Sequence, residues 1–283
     1  MTNTTSWVLS LSCPDRPGIV HAVSGAIASV GGNITESQQF GAADTGRFFM
    51  RVELDAEATE SQMREVLTPV ADGFDMDWRL DQSGRRMRTI VMVSTAEHCL
   101  GDLLYRERAR TLPIDIVAVV GNHATLQSLA EFYDKPFVHI NVTPETKADA
   151  EAALLAMVEE LNVELVVLAR YMQILSPQLS EALRGHAINI HHSFLPSFKG
   201  ARPYFQAHDR GVKLIGATAH YVTSDLDEGP IIEQDVERVD HAHSPEVLTA
   251  IGADVERRAL ARAVRWHAEH RVLLDGHRTI VFK

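Results

Sequence analysis

The sequence has only two cysteines, Cys13 and Cys99, in 283 residues. They lie far apart in sequence and show no metal-ligand spacing, and they suit a reducing compartment. No apolar run approaches the ~20 residues that a membrane span needs. Residues 1–6 are polar and carry no signal-peptide pattern. The expected setting is therefore cytoplasmic, with no membrane partner. Basic residues are in the minority, 27 against 38 acidic ones, and the net charge of -11 argues against a general nucleic-acid binder. Repeats and low-complexity segments are lacking too. What remains is a chain with an ordinary globular hydrophobic content, 45%, and enough length for two domains.

The first 80 residues read as βαββαβ. Trp7–Leu11 is an apolar strand, and Cys13-Pro14-Asp15-Arg16-Pro17-Gly18 turns the chain into a helix over 19–30. Gly31-Gly32 stops that helix. Residues 33–40 and 47–54 alternate like paired strands. Thr59 caps a helix over 59–70, and 74–80 is the last strand. This α+β order resembles an ACT domain, whose members commonly pair with each other and bind small ligands, often amino acids, near the first turn. The resemblance implies either a regulatory role or assembly alone. For the first, Asp15, Arg16, Gly18 and Asn33 are the effector-binding candidates. Turn backbone groups and an Asn side chain suit an α-amino acid such as glycine or methionine. For both, a homo-oligomer is expected, with a tetramer as its size.

Residues 81–88 are polar, with Gly84 and three arginines, and read as a linker. Beyond it, short β-branched runs at 89–93, 114–120, 137–140 and 165–169 alternate with helical segments at 103–112, 126–133 and 147–161. That pattern predicts an α/β domain over 89–283 with a mostly parallel, Rossmann-like sheet covered on both faces. A short helix over 177–183 precedes the strand of interest, strands follow at 216–222 and 231–236, and Ser244 caps a long helix to about His270.

Within that domain the stretch Ala187–Pro203 stands out. Ile188-Asn189-Ile190-His191 alternates, so Asn189 and His191 share one face of a strand end. A turn-rich loop follows, and ligands of α/β sheets bind beyond the carboxyl ends of strands. The pair either hydrogen-bonds a reacting carbonyl or satisfies local backbone. A second stretch, His220 to Pro230, carries an acidic loop with Asp225, Asp227 and Glu228 before Gly229-Pro230. Metal binding is not expected. His191 and His192, as neighbours on a strand, point to opposite faces, and no Cys cluster or His-Glu-x-x-His helix occurs.

Together, Asn-x-His with Ser-x-Leu-Pro-x-x-x-Gly and His-x-Val-x-x-x-x-Asp-x-Gly-Pro resemble the formyl-transfer fold that uses 10-formyltetrahydrofolate. The resemblance implies that Asn189, His191 and Asp227 are catalytic and that His220 supports them. Ala169-Arg170-Tyr171-Met172-Gln173-Ile174-Leu175-Ser176 resembles the folate-pocket segment, which makes Arg170, Met172 and Leu175, together with His220 and Gly229, the substrate-binding candidates. Glycinamide ribonucleotide transformylases carry Gly-x-Gly-Ser-Asn after the first strand, where backbone N–H groups meet a phosphate. The matching stretch here, Val93 to Cys99, has no glycine and adds Glu97. With the ACT-like region in front, the chain is most similar to the formyltetrahydrofolate deformylases. That family implies hydrolysis of 10-formyltetrahydrofolate to formate and tetrahydrofolate, feeding purine biosynthesis, with no cofactor and no metal. The alternatives are a formyltransferase with another acceptor and a non-catalytic folate- or amino-acid-binding regulator.

Overall fold

The computed structural model describes residues 4–193 and 203–283. The expected loop after Ser193 lies outside these residues. The chain forms two compact units, one of residues 1–85 with 269–283 and one of residues 86–268.

The first unit begins with β1 (Thr5–Pro14), α1 (Ile19–Ser29), β2 (Asn33–Ala42), β3 (Arg47–Ala56), α2 (Glu60–Phe74) and β4 (Asp77–Gln82). The expected βαββαβ order is present, as an antiparallel sheet in the order β2-β3-β1-β4. Thr59 and Gln62 form a reciprocal capping box at the start of α2. Leu9, Leu11, Met50 and Val52 meet Val23, Ile27, Met63 and Leu67 of the two helices in one core. Because strand side chains alternate, Phe49 and Arg51 face the opposite side of the sheet.

The second unit contains β5 (Met87–Val93), α3 (His98–Arg108), β6 (Ile114–Gly121), α4 (Gln127–Phe132), β7 (Phe137–His139), α5 (Lys147–Glu160), β8 (Leu165–Leu168), α6 (Pro177–Ala182), β9 (Ala187–His191), α7 (Pro203–Asp209), β10 (Leu214–Tyr221), β11 (Ile231–Arg238) and α8 (Pro245–Ala268). Seven strands lie in the order β11-β10-β9-β8-β5-β6-β7. The five from β9 to β7 are parallel, and β10 and β11 run antiparallel to their neighbours. The strand order reverses between β5 and β8, where a doubly wound sheet opens its ligand crevice. Ser94, buried just past β5, ties the loops there together. Its hydroxyl donates to Asn122 Oδ1 at 2.7 Å and accepts from Met172 N at 2.9 Å, joining the loops after β5, β6 and β8.

Three boundaries differ from the sequence reading. The supposed linker 81–88 is strand at both ends, because Asp81 pairs with Val8 in the ladder and Arg88 lies in β5, and only residues 83–86 connect the two. Helix α3 starts at His98, five residues before the apolar periodicity becomes visible at Leu103. The C-terminal segment, placed by sequence in the catalytic domain, belongs to the first unit. It forms a hairpin of β12 (Val272–Asp275) and β13 (Arg278–Val281). Phe282 packs with Ala42 and Phe49, and Arg51, 1% exposed, donates to the Glu269 carbonyl through Nε and Nη2 at 3.1 and 3.0 Å. A sheet with helices on one face needs cover on the other, and a buried guanidinium needs acceptors.

A chain ending at residue 268 should therefore lose stability in the first unit. Uncovering Phe49 alone forfeits about 1.5–3 kcal/mol of apolar burial. Thermal unfolding of the shortened and full chains compares them directly, and equal melting would deny the hairpin this role.

Candidate active site

The site is assembled from the end of β9 and the loop that follows β10. Ile188 and Ile190 are buried in the sheet, while Asn189 and His191 are half-buried on its other face. In the antiparallel pairing with β10, Asn189 stands directly opposite His220, and His191 opposite Thr218. Cross-strand partners on one face touch, and Asn189 Nδ2 lies 3.2 Å from His220 Nε2. His220 Nδ1 sits 2.8 Å from the Tyr221 carbonyl. A carbonyl only accepts, so Nδ1 carries the hydrogen and Nε2 accepts from Asn189.

Asp227 completes the group. Its Oδ1 accepts from Asn189 Nδ2 at 3.4 Å, and its Oδ2 lies 3.2 Å from His191 Nδ1. His220 Nε2 is 3.7 Å from Oδ1. Asp227 adopts φ 57°, in the left-handed region that Asp enters more readily than most residues. Gly229 holds this loop down. A Cβ there would stand 1.8 Å from the Tyr221 carbonyl oxygen and 3.2 Å from His220 Nδ1. Gly229, a substrate-binding candidate, thus lets the loop pack against Tyr221 and His220. His220, 2% exposed, supports Asn189 and Asp227 from behind.

Burial alone would push the Asp227 carboxyl up. The hydrogen bond from His191, with the His220 ring close by, outweighs burial and holds it well below the usual carboxylate range. An ionised carboxylate against His191 Nδ1 makes that nitrogen a donor and leaves Nε2 for a reactant.

Past β8 the expected folate segment divides. Tyr171, Gln173, Ile174 and Leu175 line a recess at the carboxyl ends of β5 and β6, with Met92 and Val120 in its wall. Met172 is exposed and is not part of that lining, and its backbone N–H is the group bound to Ser94. Arg170 does not line the recess either. Its Nη1 lies 2.5 Å from His192 Nδ1. His192 departs from expectation as well. Its ring stacks on that of His191, with centroids 4.8 Å apart and planes at 22°. Strand alternation fails here because β9 ends at His191 and His192 already belongs to the bend.

Comparison with known proteins places this geometry. The formyl transferase family matches residues 87–264, which include every catalytic candidate, and the ACT domain family matches residues 7–71. A formyltetrahydrofolate deformylase of Corynebacterium sp. (strain P-1) is 50% identical over the whole of both chains. The chain belongs to the formyltetrahydrofolate deformylase family. The crystal structure of a deformylase from Burkholderia mallei superposes with a TM-score of 0.96 at 50% identity, over 99% of this chain and 100% of that one. A glycinamide ribonucleotide transformylase from Symbiobacterium toebii shares 30% identity over 72% of this chain and 98% of its own, with a TM-score of 0.66. The deformylases thus match the full chain, and the transformylase matches less of it.

In this deformylase-family chain a second polar cluster lies beside the site, and sequence reasoning missed it. His98 Nε2 is 2.7 Å from Glu256 Oε2, and Tyr204 donates to Glu256 Oε1 at 2.8 Å. Cys99 lies beside them, close enough for the three residues His98, Cys99 and Glu256 to offer ligand atoms within 4.8 Å of one another. The donor set does not suit a cation. Both Glu256 oxygens are engaged, the Arg170 guanidinium already faces Oε2 at 3.5 Å, and burial pushes the Cys99 thiol up, so it stays protonated.

The effector candidates of the ACT region do not converge. Asp15, Arg16 and Gly18 are exposed at the turn after β1, beside the Arg47 end of β3. Arg16 is tied to the Gly73 carbonyl and lies over the Phe74 ring. Asn33 pairs with Asp55 at the far end of β3. Roughly 25 Å separates the two ends at ~3.4 Å per residue. In one chain they cannot hold one amino acid, because β2 runs antiparallel to β3 and its first residue meets the wrong end.

Proposed function

We propose that the protein hydrolyses 10-formyltetrahydrofolate to formate and tetrahydrofolate, with no cofactor beyond its folate substrate and with the formate serving purine biosynthesis. The observation that carries this reading is the Asp227 carboxylate, held between Asn189 and His191 at the end of β9. Water attacks the formyl carbon, and negative charge grows on the formyl oxygen. Asn189 Nδ2 and His191 Nε2–H are the donors that meet it. Asp227 takes the proton of the attacking water, directly or through His191, and the same pair delivers a proton to N10 as the C–N bond breaks. Atoms balance as one formate and one tetrahydrofolate per water consumed. The recess lined by Tyr171, Ile174 and Leu175 is the apolar end of the folate site.

A carboxylate favours water over an anionic acceptor. Glu97 precedes α3, and a phosphorylated acceptor brought to that helix end would meet its charge. Purified protein given 10-formyltetrahydrofolate and no acceptor should release formate and tetrahydrofolate in equal amounts. Release only when an acceptor is added would overturn hydrolysis in favour of transfer.

The ACT region regulates a homo-oligomer, a tetramer, through a small amino acid such as glycine or methionine. The effector site narrows to the Asp15–Gly18 turn, which Asn33 joins only from a second copy. Activity measured across glycine, methionine and serine should change for at least one of them. A flat response would leave assembly as the role of the unit, and light scattering gives the oligomer size.

A further inference from the structure

A line of polar groups runs from His191 away from the reaction into the body of the second unit. His192 stacks on His191. Arg170 Nη1 donates to His192 Nδ1 at 2.5 Å. Arg170 Nε lies 3.5 Å from Glu256 Oε2 and is buried without a hydrogen-bond partner. Glu256, only 2% exposed, holds His98 on one oxygen and Tyr204 on the other. Two backbone features serve this line. Arg170 adopts φ 63°, a left-handed conformation that an arginine rarely takes. Gly252, one turn before Glu256 on α8, leaves room for the Tyr204 ring, because a Cβ there would stand 2.1 Å from its hydroxyl oxygen.

We propose that Glu256 is a positioning residue for the catalytic histidine, acting on His191 through Arg170 and His192. The charged Arg170 donor fixes the lone pair of His192 on Nδ1 and its hydrogen on Nε2, which sets the orientation of the ring against which His191 stacks. Burial first, and the charges of Arg170 and His191 next, push His192 down to about 4, so it is neutral near pH 7. A charged ring there would repel a protonated His191. Glu256 keeps its own charge. Burial would push it up, but His98, Arg170 and Tyr204 pull it below the usual range. Its carboxylate offsets Arg170, so His191 faces a compensated pair rather than a bare cation. The charged and titratable groups around the two histidines are Asp227, His220, Arg170 and Glu256, and His98, Tyr204 and Cys99 face Glu256 in turn. None of this line beyond His191 needs to touch substrate.

The sign of the effect is opposite for the two ends of the ion pair, and a merely structural role would not produce that. In Glu256→Gln the uncompensated Arg170 disfavours protonated His191, and the titration of the His191 ring, followed by NMR, should move to lower pH. In Arg170→Met the cation is gone, and it should move to higher pH. kcat should fall in Glu256→Gln by up to about 10²-fold, the cost of a small misplacement, with KM little changed. Glu256→Asp restores the charge and should return the titration toward the parent. Shifts of the same sign in both variants, or none, would overturn the proposal. If Glu256→Gln fails to fold, Arg170→Met decides alone, and a titration that does not rise ends the idea. The inference rests on the hydrolase reading only for kcat. A parent that releases no formate would sink that reading and leave the NMR test standing.

Discussion

Asp227→Asn should lose on the order of 10²–10⁴-fold in kcat, the contribution of a positioned base, while KM stays near that of the parent. The substitution keeps the shape of the side chain, and Asn tolerates the left-handed backbone at φ 57° as Asp does. What changes is the chemistry of two contacts. One carboxylate oxygen becomes an NH₂ group, which cannot accept from both Asn189 Nδ2 at 3.4 Å and His191 Nδ1 at 3.2 Å. If the amide nitrogen faces His191, the ring must turn its lone pair to Nδ1, and its Nε2–H loses the carboxylate that supports its charge. In either orientation the base is lost, so the transition state suffers and ground-state binding does not. Hydrolysis within a few-fold of the parent would remove Asp227 from this role.

The same substitution has a pH signature in stability. Interactions with His191 and His220 outweigh burial and lower the Asp227 pKa in the folded state. A group whose folded pKa is depressed stabilises the fold above its unfolded pKa, near ~3.9 for Asp, and that stability disappears as pH falls through the folded value. The melting temperatures of parent and Asp227→Asn should therefore differ most at neutral pH and converge below about pH 4. A gap that stays constant through the acid range would mean that Asp227 is not ionised against the two histidines.

How far this site was readable follows from where each residue sits. Asn189 and His191 are legible because a strand of period two places them on one face next to a turn-rich loop, and the structure keeps them there. Asp227 shares its loop with Asp225 and Glu228, and composition does not rank the three. Only motif spacing does, and the physical reason is Gly229, whose missing Cβ lets the loop fold onto Tyr221 and turns Asp227 inward. His192 is misread because the alternation rule stops where hydrogen bonding stops. Glu256 is overlooked because its partners His98, Arg170 and Tyr204 are distant in sequence. A signal did exist. Gly252, Glu256, Ala259, Leu260 and Ala263 share one buried face of α8, and a carboxylate on an apolar stripe demands partners. The C-terminal hairpin is assigned to the wrong unit for a similar reason. Sequence continuity with α8 is visible, whereas the uncovered face of the first sheet, with Phe49 and Arg51, appears only once the strands are paired.

Asn189→Ala should cost kcat on the order of 10²–10³-fold, about 2.7–4 kcal/mol, as expected for losing one donor to a developing oxyanion. In the resting site the Asn189 amide divides its two hydrogens unequally. One goes to His220 Nε2 at 3.2 Å, and the other reaches Asp227 only at 3.4 Å, beyond the usual range. The second hydrogen is weakly held, so a formyl oxygen can take it with little loss in the resting state. As charge builds on that oxygen the bond shortens and strengthens, which is the condition for a contact that acts on kcat rather than on KM. Alanine removes the donor and leaves His220 Nε2, buried at 2% exposure, without its partner, so a modest fall in melting temperature should accompany the loss. Asn189→Asp separates the two effects. It restores the shape but sets a second carboxylate 3.4 Å from Asp227, and like charges at that distance disfavour ionisation of both. Its activity should fall below that of Asn189→Ala at neutral pH and recover in part as the pH is lowered. If Asn189→Ala keeps kcat within threefold of the parent, the oxyanion contact belongs to His191 alone.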